Sequence, residues 1–219
     1  MPPVVSIIGK SNSGKTTLVE KLVKELRSRG YRVATAKHTP QGASFDEPDK
    51  DSWRHISAGS AATCICSPDK VIVIKSTAEE ATLEELARLT GEDYDIIIAE
   101  GFKQGDAPKV EVHRKKIGPP LQNIKKLTAI VTDEPLEARV RQFSPEDTRG
   151  LADLIEEGFV KPQQERISLY VNRQPVPLTS FPKQIVTNLL LAMADSLKGV
   201  GEIRSLDISL RRNPENKDR

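Results

Sequence analysis

The sequence is poor in cysteine, in aromatic residues and in long apolar runs. Its two cysteines, Cys64 and Cys66, lie two positions apart in a predicted strand. A disulfide is rare at that spacing and two thiols alone do not complete a zinc site, so we expect both side chains to pack in the core. No apolar run approaches the roughly 20 residues that a membrane helix requires, which excludes a membrane-spanning class.

An excess of charge of one sign is also lacking. Lysine and arginine number 33, aspartate and glutamate 31, and the resulting net charge of +2 does not indicate a nucleic-acid partner. A predicted strand begins within three residues of Met1, which leaves no room for a signal peptide, and we expect a cytoplasmic protein. The 219 residues suffice for one α/β domain of about 150 residues and a small second module.

Strand and helix patterns alternate through residues 1–160, which predicts an α/β domain with a mostly parallel sheet flanked by helices. The apolar runs TCICS and VIVIK flank Pro68-Asp69-Lys70 and predict a hairpin. A short helix is expected after Asp51 or Ser52, either of which can cap it. The remaining predicted strands are 4–8, 31–38, 94–101, 109–114 and 126–132, and the remaining helices are 16–29, 79–91 and 147–160.

The composition changes at residues 161–165, KPQQE, which predict a linker. Residues 166–212 predict a small α+β unit with two strands about a turn, one helix over 181–199 and an alternating strand over 202–211. A unit of this size is expected to lean on the first domain or on a second copy. Residues 213–219 predict a disordered tail.

One motif carries strong chemical information. The segment GKSNSGKT, from Gly9 to Thr16, fits the phosphate-loop pattern G-x-x-x-x-G-K-[ST] and lies between a predicted strand and a predicted helix. Gly9 and Gly14 let successive backbone N–H groups point at phosphate oxygens. Lys15 would bridge the β- and γ-phosphates and the Thr16 hydroxyl would ligate magnesium. A chance glycine turn is the alternative, which this context disfavours.

A phosphate loop needs an acid at the end of a neighbouring strand to organise the magnesium site. Glu100, which follows DIIIA, is the candidate, against the alternative of an exposed acid at a strand end. Asp46, Asp49 and Asp51 can also reach the metal from an acidic loop, and Asp51 is our choice among them, although capping explains most loop aspartates.

Two basic side chains end the second predicted strand, at the edge where such sheets bind ligands. Lys37 and His38 there can contact phosphate or substrate, and plain solvent exposure is the alternative.

Five segments together resemble a known family: GKSNSGKTTLVEKL, AKHT, DKDSWRHISAG, IIIAEGFK and PKVEVHR. In this order they are similar to molybdopterin-guanine dinucleotide biosynthesis protein B (MobB), over about residues 4–160. The resemblance implies a P-loop fold that binds GTP with Mg²⁺, hydrolyses it slowly, and is usually dimeric. It also implies a role in assisting the molybdenum cofactor guanylyltransferase, the enzyme that attaches GMP to molybdopterin, with molybdopterin and molybdoenzymes as further candidate partners.

Site residues follow from the resemblance by matching position. Thr17 joins the loop residues that hold phosphate and magnesium, and Glu100 is the acid of the magnesium strand. Lys103 in EGFK and Arg114 in EVHR match basic positions that are candidates for binding anions. The candidate nucleotide-binding residues are Gly9, Lys10, Asn12, Ser13, Gly14, Lys15, Thr16, Thr17, Lys37, Lys103 and Arg114, and the candidate catalytic residues are Lys15, Glu100 and Asp51.

Lys10 precedes Lys15 by five residues, the spacing of a signature lysine in dimeric relatives with deviant phosphate loops, where it crosses to the partner's nucleotide. A solvated lysine at a variable loop position is the alternative, and the one that we favour.

Two features depart from the family pattern. There is no N-K-x-D guanine box, and IVTD, ending at Asp133, is only a loose stand-in. The C-terminal unit lies outside the basic pattern, although similar tails are expected on fused or archaeal-type relatives.

Two other classes compete with this interpretation. A metal-delivery GTPase would need a metal site, for which the available ligands are Cys64, Cys66, His38, His55 and His113. A small-molecule kinase would need a lid and a catalytic base, and no arginine-rich lid is evident.

Overall fold

The computed structural model describes residues 1–39, 47–163, 166–172, 174–203 and 205–210. The chain divides into two compact units, Met1–Arg166 and Ile167–Arg219. The prediction that Asp46 reaches the metal and the prediction of a tail over 213–219 both lie outside the described residues. No helix within the described ranges is long and apolar enough to cross a membrane.

The first unit alternates strands and helices as the sequence pattern predicts. Its strands are β1 (Val4–Ile8), β2 (Val33–Lys37), β3 (Ala62–Cys66), β4 (Val71–Lys75), β5 (Ile96–Glu100), β6 (Lys109–Val112), β7 (Leu127–Val131) and β8 (Arg141–Phe143). Its α-helices are α1 (Lys15–Ser28), α2 (Asp51–Ser57), α3 (Leu83–Thr90) and α4 (Thr148–Ile155).

Six of these strands form one parallel sheet in the order β2-β5-β1-β6-β7-β8. The predicted α/β class with a mostly parallel sheet is therefore confirmed. Since β5 lies between β2 and β1, the carboxyl ends of these three strands meet at one edge. That edge brings together the loop after β1, Lys37 and Glu100, which pairs with Lys37 in the β2–β5 register.

The core lies on both faces of this sheet. On one face α1 buries a stripe at helical spacing, Leu18, Leu22 and Leu26, against β1, β5 and β6, and α4 packs beside it. On the other face Ala87 of α3 packs with Ala34 and Ile97. The helix that follows the phosphate loop, α1, therefore packs on one face of a sheet whose other face is covered in part by α3.

The predicted hairpin is present as a two-stranded antiparallel sheet of β3 and β4, with Cys64 opposite Val73. The prediction that the cysteines pack in the core is wrong, because Cys64 and Cys66 are both exposed. Among the described residues these two strands pair with each other and not with the six-stranded sheet, so that sheet does not bury their apolar side chains.

The predicted cap of α2 is also wrong. Lys50 occupies the N-cap position, Asp51 is the first helical residue, and no side chain hydrogen-bonds at that cap. Asp51 still favours the helix, because an acidic side chain in the first turn complements the positive end of the helix dipole.

The second unit contains β9 (Leu169–Val171) and β10 (Gln174–Val176), paired antiparallel, and α5 (Ser180–Asp195). The third strand, predicted over 202–211, is wrong for residues 202–203 and 205–210, which have no strand structure. An alternating pattern forms a strand only where a neighbouring edge accepts its hydrogen bonds, and in the described part of this unit β9 and β10 pair with each other alone.

Arg29 at the end of α1 ties this helix to the end of α4. Its guanidinium contacts Glu25, Asp153 and Glu156, each at 2.7 Å, and the Tyr31 hydroxyl donates to Glu156 at 2.9 Å. The hydrogen bond from Arg29 holds the pKa of Glu156 below its ordinary value of 4.5. The ionised Glu156 therefore stabilises the folded chain.

The lowered pKa of Glu156 makes the free energy of unfolding depend on pH. Since the pKa of Glu156 is lower in the folded state, its contribution is fully present above pH 4.5 and is lost as the pH falls through the folded value. We expect Glu156→Gln to lower the free energy of unfolding by about 1.5 kcal/mol at pH 7, and by less as the pH approaches about 3. Thermal unfolding against pH measures this. Glu157→Gln, at the more exposed neighbour, is the control, and a pH-independent difference would contradict the prediction.

Candidate functional site

The phosphate loop wraps between β1 and α1 through three residues with positive φ. These are Gly9 at +151°, Asn12 at +62° and Gly14 at +93°. A Cβ on Gly9 would lie 2.5 Å from the backbone oxygen of Val112, so only glycine fits there. Alternation of right- and left-handed backbone creates a concave surface of N–H groups that suits an anion.

The side chain of Lys15 is hydrogen-bonded to the backbone of this loop. Its Nζ donates to the backbone oxygens of Lys10 at 2.8 Å and of Gly9 at 3.2 Å. A phosphate oxygen is a stronger acceptor for an ammonium group than a neutral carbonyl. The lysine is therefore held at the loop by contacts that an entering phosphate can replace.

Ser13 supplies a second observation that fits an anion. The side chain is 2% exposed, and its Oγ has no hydrogen-bond partner among the described residues. A buried hydroxyl without a partner costs free energy, which a bound acceptor would recover. The orphaned hydroxyl lies inside the loop, where a Cβ on Gly9 would be 2.7 Å from it.

Thr16 and Glu100 meet across 84 positions of sequence. The Thr16 hydroxyl lies 2.9 Å from both carboxylate oxygens of Glu100, and Lys37 Nζ lies 3.5 Å from Oε1. A hydroxyl and a carboxylate are the hard oxygen ligands that Mg²⁺ prefers, so this pair fits a magnesium site. The structure thus brings three of the predicted site residues together beside the loop.

A small cavity of about 240 Å³ adjoins the loop and is lined by Asn12, Ser13 and Gly14. Thr17, directly after Thr16, lines it. Arg114 lines it too, and its Nη2 would lie 3.6 Å from a Cβ on Gly14. The predicted anion-binding Arg114 is therefore adjacent to the phosphate loop, held by hydrogen bonds to the backbone oxygens of His113 and Val131.

Three charged residues of this cavity were missed by the sequence analysis: Lys21, Lys116 and Glu146. Lys21 Nζ lies 2.9 Å from a Glu146 carboxylate oxygen, although 125 positions separate the two residues. No motif or spacing links them, so only the packing of the loop after β8 against α1 reveals the pair.

Other predicted residues lie in different surroundings. Asp51 contacts Arg54 of its own helix at 3.8 Å and shows no contact with Glu100 among those described. Lys103 lines a separate, larger cavity. Lys10 Nζ lies near Gly118 of the same chain, 3.3 Å from where a Cβ on that glycine would be.

Asp133, the stand-in for a guanine box, accepts a hydrogen bond from the backbone N–H of Lys115 at 2.8 Å. That bond lowers the pKa of Asp133 and ties the ends of β6 and β7 together. Its carboxylate therefore has a structural partner.

The residues proposed as ligands of a delivered metal do not converge. Within the described ranges, no group of three or more histidine, cysteine, aspartate or glutamate side chains could hold a metal ion. His113 is buried and contacts Glu134 at 3.0 Å, while His38 contacts Glu80.

A family model described as molybdopterin guanine dinucleotide synthesis protein B, MobB, matches residues 4–133. The chain belongs to this family. Among MobB-family relatives, the molybdopterin-guanine dinucleotide biosynthesis adapter protein of Haemophilus influenzae is 35% identical over 70% of this chain and 88% of its own length. That of Escherichia coli is 33% identical over 74% of this chain and 95% of its own length.

An archaeal MobB relative extends further. The putative adapter protein of Methanocaldococcus jannaschii is 23% identical over 94% of this chain and 97% of its own length. This alignment therefore extends into the C-terminal unit. The crystal structure of Bacillus subtilis MobB covers 72% of this chain and 98% of its own, with 25% identity and a TM-score of 0.56.

Proposed function

We propose that this MobB-family chain binds GTP with Mg²⁺ at the phosphate loop, hydrolyses it slowly, and acts as an adapter in the synthesis of molybdopterin guanine dinucleotide. The observation that carries the nucleotide site is the meeting of Thr16 with Glu100, 2.9 Å apart, beside an intact loop. The adapter role is supported by the names of the Haemophilus influenzae and Escherichia coli relatives. Its partner would be the guanylyltransferase of that pathway.

Each loop residue has a distinct task in this proposal. Lys15 leaves the carbonyls of Gly9 and Lys10 and neutralises charge on the β- and γ-phosphates. Thr16 and Glu100 would hold Mg²⁺, which supplies positive charge to the transferring phosphoryl group. Lys37 adds a positive charge next to Glu100 and sets the position of its carboxylate.

The small cavity supports a preference for the guanine base. Loop residues and Thr17 line it together, so a nucleoside whose phosphates occupy the loop would lie next to it. Glu146 is the one carboxylate among the described residues that line it. A carboxylate accepts two hydrogen bonds from the adjacent N–H groups of guanine, whereas adenine offers an acceptor at the corresponding ring nitrogen.

Parallel titrations with GTP and ATP, each with and without Mg²⁺, test the nucleotide assignment. We expect tighter binding of GTP, and a dependence of turnover on Mg²⁺. Glu100→Gln should leave GTP affinity within about threefold while lowering Mg²⁺-dependent turnover about tenfold or more, because the amide is a weaker ligand than the carboxylate. Glu92→Gln, an acid of the same unit outside the site, is the control. A clear preference for ATP, or unchanged turnover in Glu100→Gln, would contradict the proposal.

The hairpin of β3 and β4 supports a homodimer. Val71, Ile72 and Val73 are 67%, 49% and 57% exposed, and an isolated two-stranded hairpin is marginally stable in water. An exposed apolar strand also presents unpaired backbone groups that a second copy can satisfy. We therefore propose that this hairpin is covered by the partner protomer. Such a dimer is a prerequisite for Lys10 to reach a partner's nucleotide, which stays a prediction.

Sedimentation equilibrium of two matched variants tests the dimer. Ile72→Lys places a charge on the hairpin, and Ile185→Lys places one on α5, at side chains that are 49% and 50% exposed. We expect Ile72→Lys to weaken dimerisation about tenfold or more, since burial of an unpaired ammonium group is costly, and Ile185→Lys to leave it unchanged. The reverse result would assign the dimer contact to the C-terminal unit.

A further inference from the structure

A second cavity, of about 840 Å³, lies in the first unit and is separate in its lining residues from the phosphate loop. Its volume falls in the range typical of small-molecule sites, about 300–1,000 Å³. The apolar part of its lining includes Pro2, Pro3, Val4 and Leu83. The proposed GTP site does not use this cavity.

One wall of the cavity is aromatic. The rings of His38 and Phe102 lie 5.2 Å apart with an angle of 42° between their planes. Both residues line the cavity. An aromatic wall beside aliphatic side chains favours a flat ring system, because the faces of such a ligand gain stacking and apolar burial together.

The wall formed by residues 105–108 is fixed by a buried lysine. Lys109 is 0% exposed, and its Nζ donates to the backbone oxygens of Gly105 and of Ala107, the latter at 2.9 Å. Burial lowers the pKa of Lys109, which nevertheless has two acceptors for its protons. The cavity wall is thus held in place before any ligand enters.

The polar part of the lining has three carboxylates, Glu80, Glu84 and Asp106, and one lysine side chain, Lys103. Lys126 donates to Asp106 at 2.6 Å and lowers the pKa of Asp106, so this carboxylate only accepts hydrogen bonds. Acceptors in excess suit a ring that carries N–H donors, and the single lysine suits one anionic group.

The aromatic wall is close in sequence to Glu100, the proposed magnesium ligand. Gly101 and Phe102 follow Glu100 directly and both have positive φ, +96° and +53°, which is rare for a bulky side chain. The backbone N–H of Gly101 donates to the backbone oxygen of Ile7, and the backbone N–H of His38 donates to the backbone oxygen of Glu100. The turn that places Phe102 in the cavity therefore also positions Glu100 beside Thr16.

From these observations we propose that the cavity binds a planar heterocycle with adjacent N–H donors and a phosphate group, the chemistry shared by phosphorylated pterins and guanine mononucleotides. The ring would lie along His38 and Phe102, its donors facing the carboxylates and its phosphate facing Lys103. This inference rests on the proposed function, since molybdopterin and GMP are the two species that the pathway joins. In this proposal the adapter itself binds either molybdopterin or GMP.

The test uses two probes, neopterin monophosphate and GMP, each titrated into the full chain with GDP and Mg²⁺ in excess to occupy the phosphate loop. We expect at least one probe to bind with a dissociation constant below about 1 mM. Ala81→Trp fills the cavity, and Ala78→Trp, at an exposed position outside the lining, is its control. We expect Ala81→Trp alone to weaken the probe about tenfold or more.

Variants that neutralise single carboxylates test whether the lining accepts hydrogen bonds from the N–H groups of the ring. Glu84→Gln should weaken the probe, while Glu79→Gln, outside the lining, should not. Tighter binding of neopterin monophosphate or of GMP decides between the two sources. If neither probe binds, or if the two tryptophan variants bind the probe equally well, the inference is overturned. A GTP titration of the same preparation separates this failure from failure of the proposed function, because GTP binding does not require the cavity.

Discussion

Replacing Lys15 by alanine is expected to weaken GTP binding by about 2 kcal/mol or more, equal to about thirtyfold in affinity, because a charge-assisted contact to phosphate is lost. In the absence of nucleotide the acceptors of the Lys15 ammonium among the described residues are two neutral backbone carbonyls, those of Gly9 and Lys10. Its removal therefore affects the bound state much more than the free state. The free energy of unfolding of Lys15→Ala should change little, because the hydrogen bonds that the substitution removes are made to neutral carbonyls and leave no charged group without its partner.

Isothermal titration with GTP and Mg²⁺ measures the effect of Lys15→Ala. The control is Lys24→Ala, an exposed lysine of the same helix. Both substitutions remove one positive charge, so a general change in electrostatic attraction would appear in both variants. Equal affinities for the two variants would contradict the assignment of the phosphate loop.

Gly9→Ala is expected to abolish measurable GTP binding and to lower the free energy of unfolding by about 2–3 kcal/mol. The new Cβ would lie 2.5 Å from the backbone oxygen of Val112, and a backbone atom of a central strand cannot move aside cheaply. The residue also has φ at +151°, which side chains other than glycine rarely adopt. Either the loop opens or β1 and β6 separate, and both disturb the concave surface.

Gly30→Ala separates the effect of backbone strain from the effect of the steric contact with Val112. Gly30 also has positive φ, at +92°, but a Cβ there would meet nothing within 4 Å. Chemical denaturation should show a smaller loss for Gly30→Ala, which measures backbone strain alone, and GTP binding should be retained. If Gly30→Ala were as damaging as Gly9→Ala, the contact with Val112 would not explain the effect.

The strand, loop and helix around Gly9 could be predicted from sequence because the pattern is local. Gly9 to Thr16 follow one another along the chain, and the strand before them and the helix after them have clear periodicities. Glu100 could be predicted from its place at the end of an apolar strand, because parallel strands bring their carboxyl ends to one edge. Which atoms it contacts required the structure.

The errors arose where long-range packing overrides a local pattern. Cys64 and Cys66 have the pattern of a core strand, yet β3 pairs only with β4 and leaves both exposed. Residues 202–203 and 205–210 have part of an alternating strand pattern, yet no neighbouring strand pairs with them. A strand needs a partner strand, often distant in sequence, to accept and donate its backbone hydrogen bonds, whereas a helix satisfies its own backbone.

The sequence by itself determined the class of the fold, the place of the glycine-rich loop and of Glu100 at the end of an apolar strand, and the family resemblance, because each depends on residue order and spacing. Only the tertiary structure decided that Arg114 lies beside Gly14, that Lys21 meets Glu146 across 125 positions, and that a second cavity lies next to Phe102. These features depend on which segments the folded sheet brings together. No local periodicity encodes such a distance, since it is set by strand order and by the packing of helices on both faces.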